Sequence, residues 1–171
     1  MDHFSFKTRL GFAAITILFL AGGLAALATA PVSQASPAQI CLAQAIYFEA
    51  RGEPRSGQYG VASVVLNRVA HPAYPDTVCE VVFQGSARRN ACQFSFACDG
   101  LSDYARQGRV WSGSLQMAGR ALAGFVPDLT GRATHYHATS VDPAWASDLT
   151  HTVTIGAHRF YHDRPAMLAS R

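Results

Sequence analysis

Apolar and polar residues divide the chain into three stretches of different character. From Leu10 to Val32 the residues are almost uninterruptedly apolar, behind Lys7 and Arg9. A positive flank before an apolar run is the arrangement of an export signal, whose apolar core spans ~7 to 15 residues, whereas a membrane-spanning helix needs ~20. This run is nearer the longer figure, so residues 1–35 are expected to be a signal peptide or an N-terminal membrane anchor. Small residues at Ser33 and Ala35 favour cleavage after Ala35. Residues 36–171 are then expected to form one domain.

In the second stretch the period becomes helical. Ser36-Pro37-Ala38-Gln39 sets a serine at an N-cap, a proline at the first helical position and a glutamine three residues after the cap, a capping-box start. The helix predicted from Gln39 to about Ala50 puts Leu42, Ala45, Ile46 and Glu49 on one face, and Gly52 and Pro54 end it. Ser56 to Val69, with Val61, Val64, Val65, Leu66 and Val69, predicts a buried central helix, being too long for an ordinary strand. Thr77 and Glu80 repeat the capping-box pattern before Val81, Val82 and Phe83, predicting a short third helix. Gly85 to Gly108 is irregular and polar, and Trp111 to Ala123, closed by Gly124, predicts a fourth helix. In the last stretch, Ala133 to Ala138 and Thr150 to Tyr161 read as strands, the second folded into a hairpin about Gly156-Ala157. The expected fold class is α+β, a helical body with a small C-terminal antiparallel sheet.

Composition narrows the function. The formal net charge is only +3 and the basic residues are spread along the chain, too mild a balance for nucleic acid and compatible at most with weak attraction to anionic cell-wall material. The four cysteines, Cys41, Cys79, Cys92 and Cys98, all follow the export segment, which predicts two disulfides. Of three pairings, the short loop favours Cys92–Cys98 and leaves Cys41–Cys79.

A glutamate on the apolar face of a capped helix needs an explanation in a chain with 11 acidic residues. Burial raises a carboxyl pKa and keeps the acid protonated at neutral pH, ready to donate. The alternative is a plain ion pair of Glu49 with Arg51, Arg55 or Arg68, or bonds from the free N–H groups of a neighbouring helix. Five of the seven histidines lie between His135 and His162, and His135 and His137 share a strand face, a spacing zinc sites use. No His-Glu-x-x-His string accompanies them, and no metal or other cofactor is expected.

The string Tyr47-Phe48-Glu49-Ala50-Arg51-Gly52-Glu53-Pro54, then Gly57-Gln58 and Leu66-Asn67-Arg68-Val69, resembles the SleB-type cell-wall hydrolase family. Phe83-Gln84 leading to Cys92-Gln93-Phe94-Ser95-Phe96 with Asp99-Gly100 also matches its pattern, as does Ala133-Thr134-His135-Tyr136-His137-Ala138 followed by Pro143 and Trp145. The resemblance extends over roughly Ile40 to Tyr161. It implies a lysozyme-like domain, similar in its core to lytic transglycosylases, that cleaves peptidoglycan between N-acetylmuramic acid and N-acetylglucosamine with the first glutamate of the motif, here Glu49, as catalytic acid. Glu53 is the alternative acid. Lying beyond Gly52 and before Pro54, it is expected to be solvated or paired with Arg51 or Arg68.

Most glycosidases need two carboxyl groups. A lytic transglycosylase uses one, first as acid and then as base on the muramic C6 hydroxyl, leaving a 1,6-anhydro end. Gln93, Phe94, Ser95, Tyr136 and Trp145 are the candidate substrate contacts, with Phe94 and Trp145 also readable as core aromatics. Competing readings are a hydrolytic muramidase of the same fold, a wall amidase using the C-terminal histidines with zinc, and a non-catalytic peptidoglycan-binding protein. The expected partner is the glycan strand. The protein is expected to be a monomer exported to the periplasm or cell envelope, with a tether to the inner membrane through residues 10–32 if the leader is retained.

Overall fold

The computed structural model describes residues 34–88, 91–103 and 108–163. The apolar run from Leu10 to Val32, on which the expectation of a signal or anchor rests, lies outside the described residues. Among the described residues, no helix is long and apolar enough to cross a membrane.

Four helices form the body: α1 (Pro37–Ala50), α2 (Arg55–Val69), α3 (Val78–Val82) and α4 (Arg109–Leu122). The Ser36 hydroxyl accepts the Gln39 N–H at 3.2 Å, so the cap is where the pattern places it, with the helix starting two residues earlier at Pro37. Such a cap contributes about 1 kcal/mol. The box itself stays open. Gln39 Nε2 donates instead to the Leu115 carbonyl of α4 at 2.9 Å, so a residue read as local punctuation joins two helices. Leu42, Ala45 and Ile46 are fully buried, and α1 packs against all three other helices. It shares the centre of the body with α2, the helix expected to be central.

α2 buries Val61, Val64 and Val65 completely, and it brings Gly60 against the sheet. A Cβ built on Gly60 would stand 2.6 Å from Phe160 Cζ, so the ring rests where any side chain would be. α3 is capped by Thr77, whose hydroxyl accepts the Glu80 N–H at 3.3 Å and contacts the Glu80 carboxylate at 2.7 Å. α4 ends in a Schellman motif: Phe125 N–H bonds to the Arg120 carbonyl at 2.9 Å and Gly124 N–H to that of Ala121 at 3.0 Å, with Gly124 at φ 72°. Both expected disulfides are present. Cys41–Cys79 ties α1 to α3 across a Cα–Cα distance of 5.3 Å, and Cys92–Cys98 closes the loop that holds a 3-10 turn at Ser95–Cys98, at 5.9 Å.

The sheet consists of β1 (His135–Ala138), β2 (Thr150–Ile155) and β3 (His158–His162), antiparallel throughout in the order β1-β3-β2, with Gly156 at φ 59° in the β2–β3 turn. Tyr136 pairs with Phe160 and His135 with Tyr161. Strand alternation therefore turns Tyr136, His158 and Phe160 to one face and His135, His137 and Tyr161 to the other. The first face packs on α2, where Phe160 meets Val64 and Ala133. β1 begins two residues later than predicted because α2 side chains take the carbonyls before it. Asn67 Nδ2 donates to the Ala133 carbonyl at 2.9 Å and Arg68 Nε to that of Thr134 at 2.7 Å.

Candidate active site

Glu49 stands in the last turn of α1, one helical turn beyond Ala45 and Ile46, so the helix aims it toward the sheet face that carries Tyr136. It is half-buried. The Tyr136 hydroxyl donates to Glu49 Oε2 at 3.1 Å, its one hydrogen bond among the described residues. Burial raises the Glu49 carboxyl above its ordinary value, and the Tyr136 hydrogen bond works against this by favouring the carboxylate. Among the described residues no salt bridge reaches Glu49 from Arg51, Arg55 or Arg68, so the ion-pair alternative is not what the structure contains. The Tyr136 phenol is pushed well above its usual range, by burial first and then by the charge and hydrogen bond of Glu49, with Arg68 opposing.

Glu53 has a different setting. Its Oε2 accepts the Ala157 N–H at 2.9 Å, and a Cβ on Gly156 would collide with the same oxygen. Its backbone carbonyl accepts from Gln58 Nε2 at 2.8 Å. The carboxylate thus holds the β2–β3 hairpin turn onto the start of α2. Among the described residues it pairs with neither Arg51 nor Arg68, and the hairpin brings a backbone donor to it instead.

Residues 52–161 match the family described as Cell Wall Hydrolase. The chain belongs to that family. The matched segment begins three residues after Glu49. This family member is 34% identical over 122 residues to the spore cortex-lytic enzyme of Halalkalibacterium halodurans, covering 70% of the present chain and 33% of that protein. It is 54% identical over 43 residues to the spore cortex-lytic enzyme of Bacillus subtilis, covering 25% of this chain and 14% of that one. The chain thus spans a third or less of these relatives' length. Its fold matches the crystal structure of the catalytic domain of the Bacillus cereus SleB protein, with a TM-score of 0.58 and 31% identity over 75% of this chain and 93% of that one. It also matches the catalytic domain of the germination-specific lytic transglycosylase SleB from Bacillus anthracis, with a TM-score of 0.60 and 30% identity over 77% and 99%.

Within this cell wall hydrolase fold the other predicted site residues disperse. Phe94 is buried, with the Arg68 guanidinium over its ring at 5.5 Å, which is the core setting. Gln93 and Ser95 flank it and are exposed. Trp145, 37% exposed, packs on His135, His137 and Tyr161 at 5.5 to 5.7 Å between ring centroids. That is the sheet face opposite Tyr136, so the structure does not bring Trp145 together with Glu49. His137 Nε2 lies 2.9 Å from the Tyr161 hydroxyl and His135 Nδ1 3.0 Å from that of Thr134.

A cavity of about 630 Å³ lies along the exposed side of α1's last turns, with Tyr47, Phe48 and Arg51 on one wall and Phe96, Asp99 and Asp103 on the other. Glu49 does not line it. Two buried residues near Tyr136, Arg68 and His158, are not among the predicted site residues. For Arg68 a signal existed: it falls on the stripe of Val61, Val64 and Val65 at helical spacing, where a cation is out of place.

Proposed function

We propose that this chain cleaves the glycan strands of peptidoglycan between N-acetylmuramic acid and N-acetylglucosamine, acting as a lytic transglycosylase with Glu49 as its acid and base. The observation that carries this reading is a half-buried carboxyl held through one oxygen by Tyr136, with no arginine salt bridge among the described residues and with burial pushing it toward the protonated form. Tyr136 fixes Oε2, which leaves Oε1 to carry the proton toward a glycosidic oxygen. That proton goes to the leaving oxygen as the C1–O bond breaks. The carboxylate then takes the proton of the muramic C6 hydroxyl, whose oxygen closes on C1, and Glu49 is returned in its acid form with a 1,6-anhydro end as product. One such proton transfer is worth about 10²–10⁴ in rate, and the remainder must come from positioning and electrostatics.

The engagement of Glu53 with the hairpin turn supports giving the acid role to Glu49. The likeness in fold to the Bacillus anthracis protein, a germination-specific lytic transglycosylase, supports transfer over hydrolysis. Two disulfides support action outside the reducing cytoplasm, in the envelope. Digestion of purified sacculi by the wild type and by Glu49→Gln, followed by mass spectrometry of the fragments, tests the proposal. Anhydro-muropeptides that disappear in the variant are the expected result. Reducing muramic ends would mean a muramidase, freed stem peptides an amidase, and release at the wild-type rate by the variant would remove Glu49 from the chemistry.

A further inference from the structure

Arg68 is 4% exposed, yet among the described residues no carboxylate pairs with it. Its Nε holds the Thr134 carbonyl at 2.7 Å, its guanidinium lies over the rings of Tyr74 and Phe94 at 5.3 and 5.5 Å, and its Nη1 is buried without a hydrogen-bond partner. A buried cation with no carboxylate beside it is costly even where a carbonyl and aromatic rings face it, and a buried donor left unsatisfied adds about 1–3 kcal/mol more. Packing alone does not explain such an arrangement, because a methionine of similar length would fill the space without either penalty. What the arginine adds is a positive charge beside the segment that enters β1, two residues from Tyr136.

We propose that Arg68 is a positioning residue for the Glu49–Tyr136 pair: it fixes the entry to β1 so that the Tyr136 hydroxyl reaches Glu49, and its unpaired charge keeps that hydroxyl a strong donor. The inference rests on Glu49 being the catalytic acid only for its consequences in activity. The contact it describes stands apart from the chemistry. Asn67 provides an internal comparison, since it grips the adjacent Ala133 carbonyl at 2.9 Å and carries no charge. The other titratable groups are Tyr74 and His135, which neighbour Arg68, with His135 on the opposite sheet face from Tyr136, and His158 on β3, which shares the face of Tyr136. The His135 imidazole is lowered by burial first and by Arg68 second, and His158 meets the Tyr136 ring at 5.0 Å between centroids.

The test is NMR titration of the Glu49 side-chain carboxyl in the full chain, with Arg68→Gln, Arg68→Lys and Asn67→Ala beside the wild type. Arg68→Gln keeps a donor for Thr134 and loses the charge. It should move the carboxyl pKa upward, because the Tyr136 bond that favours the carboxylate weakens. Arg68→Lys should restore most of the wild-type value. Asn67→Ala should lower Tm and leave the titration in place. In sacculus digestion Arg68→Gln should lower kcat about ten-fold or more with little change in KM, as expected when a reacting group is misplaced. An unmoved Glu49 titration in Arg68→Gln overturns the proposal, whatever happens to Tm. A moved titration in a protein whose Glu49→Gln variant remains fully active would sustain the contact while removing the proposed chemistry.

Discussion

Gly60→Ala gives opposite expectations from helix propensity and from the packing. In an open helix the change is favourable by about 1 kcal/mol. Here the new Cβ would lie 2.6 Å from Phe160 Cζ and 3.2 and 3.4 Å from the two Cε atoms, against an ordinary carbon contact of about 3.5–4.0 Å. The ring must therefore retreat by about 1 Å. It has no free direction, being fully buried, packed with Val64 and Ala133, and 5.7 Å from the Tyr136 ring. Overpacking of this kind costs about 1–3 kcal/mol, and the head-on contact puts it in the upper half of that range. Subtracting the propensity gain leaves a net loss of about 1–2 kcal/mol, or roughly 3–10 °C in Tm.

The matched control is Gly113→Ala in α4, where a Cβ meets nothing within 4 Å. It should raise stability by about 0.5–1 kcal/mol. Thermal melts followed by circular dichroism compare the three proteins directly. If Gly60→Ala melts at or above the wild-type temperature, Phe160 does not rest on α2 as described, and the sheet is seated elsewhere. Activity gives a second readout. A ring moved by 1 Å presses on Tyr136, whose bond to Glu49 at 3.1 Å has little slack, so sacculus digestion should fall more than the lost stability accounts for.

Tyr136→Phe removes the bond that lowers the Glu49 carboxyl and leaves the burial that raises it, so the alkaline limb of the pH–activity profile should move to higher pH; a limb that stays or moves down would place another group in control of it. Because the folded state raises this carboxyl, the stability it contributes is fully present below the unfolded value and is lost as pH rises through the folded one. Glu49→Gln should consequently melt higher than wild type at neutral pH and show no such advantage below pH 4.5, as a series of melts would reveal. Glu53→Gln keeps an acceptor for the Ala157 N–H and should retain nearly full activity, whereas Glu53→Ala should lose about 1–3 kcal/mol in denaturant unfolding with turnover per folded molecule largely kept; abolished turnover in Glu53→Gln would make Glu53 the acid. Opening the Cys41–Cys79 bridge by a double serine substitution should cost about 2–4 kcal/mol, read as a lower denaturant midpoint.

Much of this architecture is local chemistry and was legible as such. Ser36 and Pro37 declare the start of α1, the spacing of Leu42, Ala45, Ile46 and Glu49 declares its inward face, Gly124 closes α4 and Gly156 turns the hairpin. The cysteine spacings point to the observed pairing. What escaped the pattern were contacts between residues far apart in the chain. Glu49 and Tyr136 are 87 positions apart, and Glu53 and the Ala157 N–H are 104 apart. No periodicity says which acid meets a phenol and which meets a turn. Gln39 and Trp145 show the same limit: the side chain of Gln39 finds a carbonyl on α4 that local capping rules do not know of. Trp145 has aromatic chemistry suited to a sugar, but the face it covers depends on the register of a strand ending seven positions before it.

Among the described residues, the polar contacts that seat the sheet on the helical body include Glu49 with Tyr136, Glu53 with Ala157, and Asn67 and Arg68 with the carbonyls of Ala133 and Thr134. In the language of instrument mounts, two supports leave a plate free to rock about the line through them, and a third removes that freedom. Loss of one support should loosen a single rocking mode and leave the plate attached. The two glutamates of one five-residue motif are both supports, so stiffness and the proposed chemistry are drawn from the same short segment. Glu49 is then both a foot of the mount and the point whose position the mount controls.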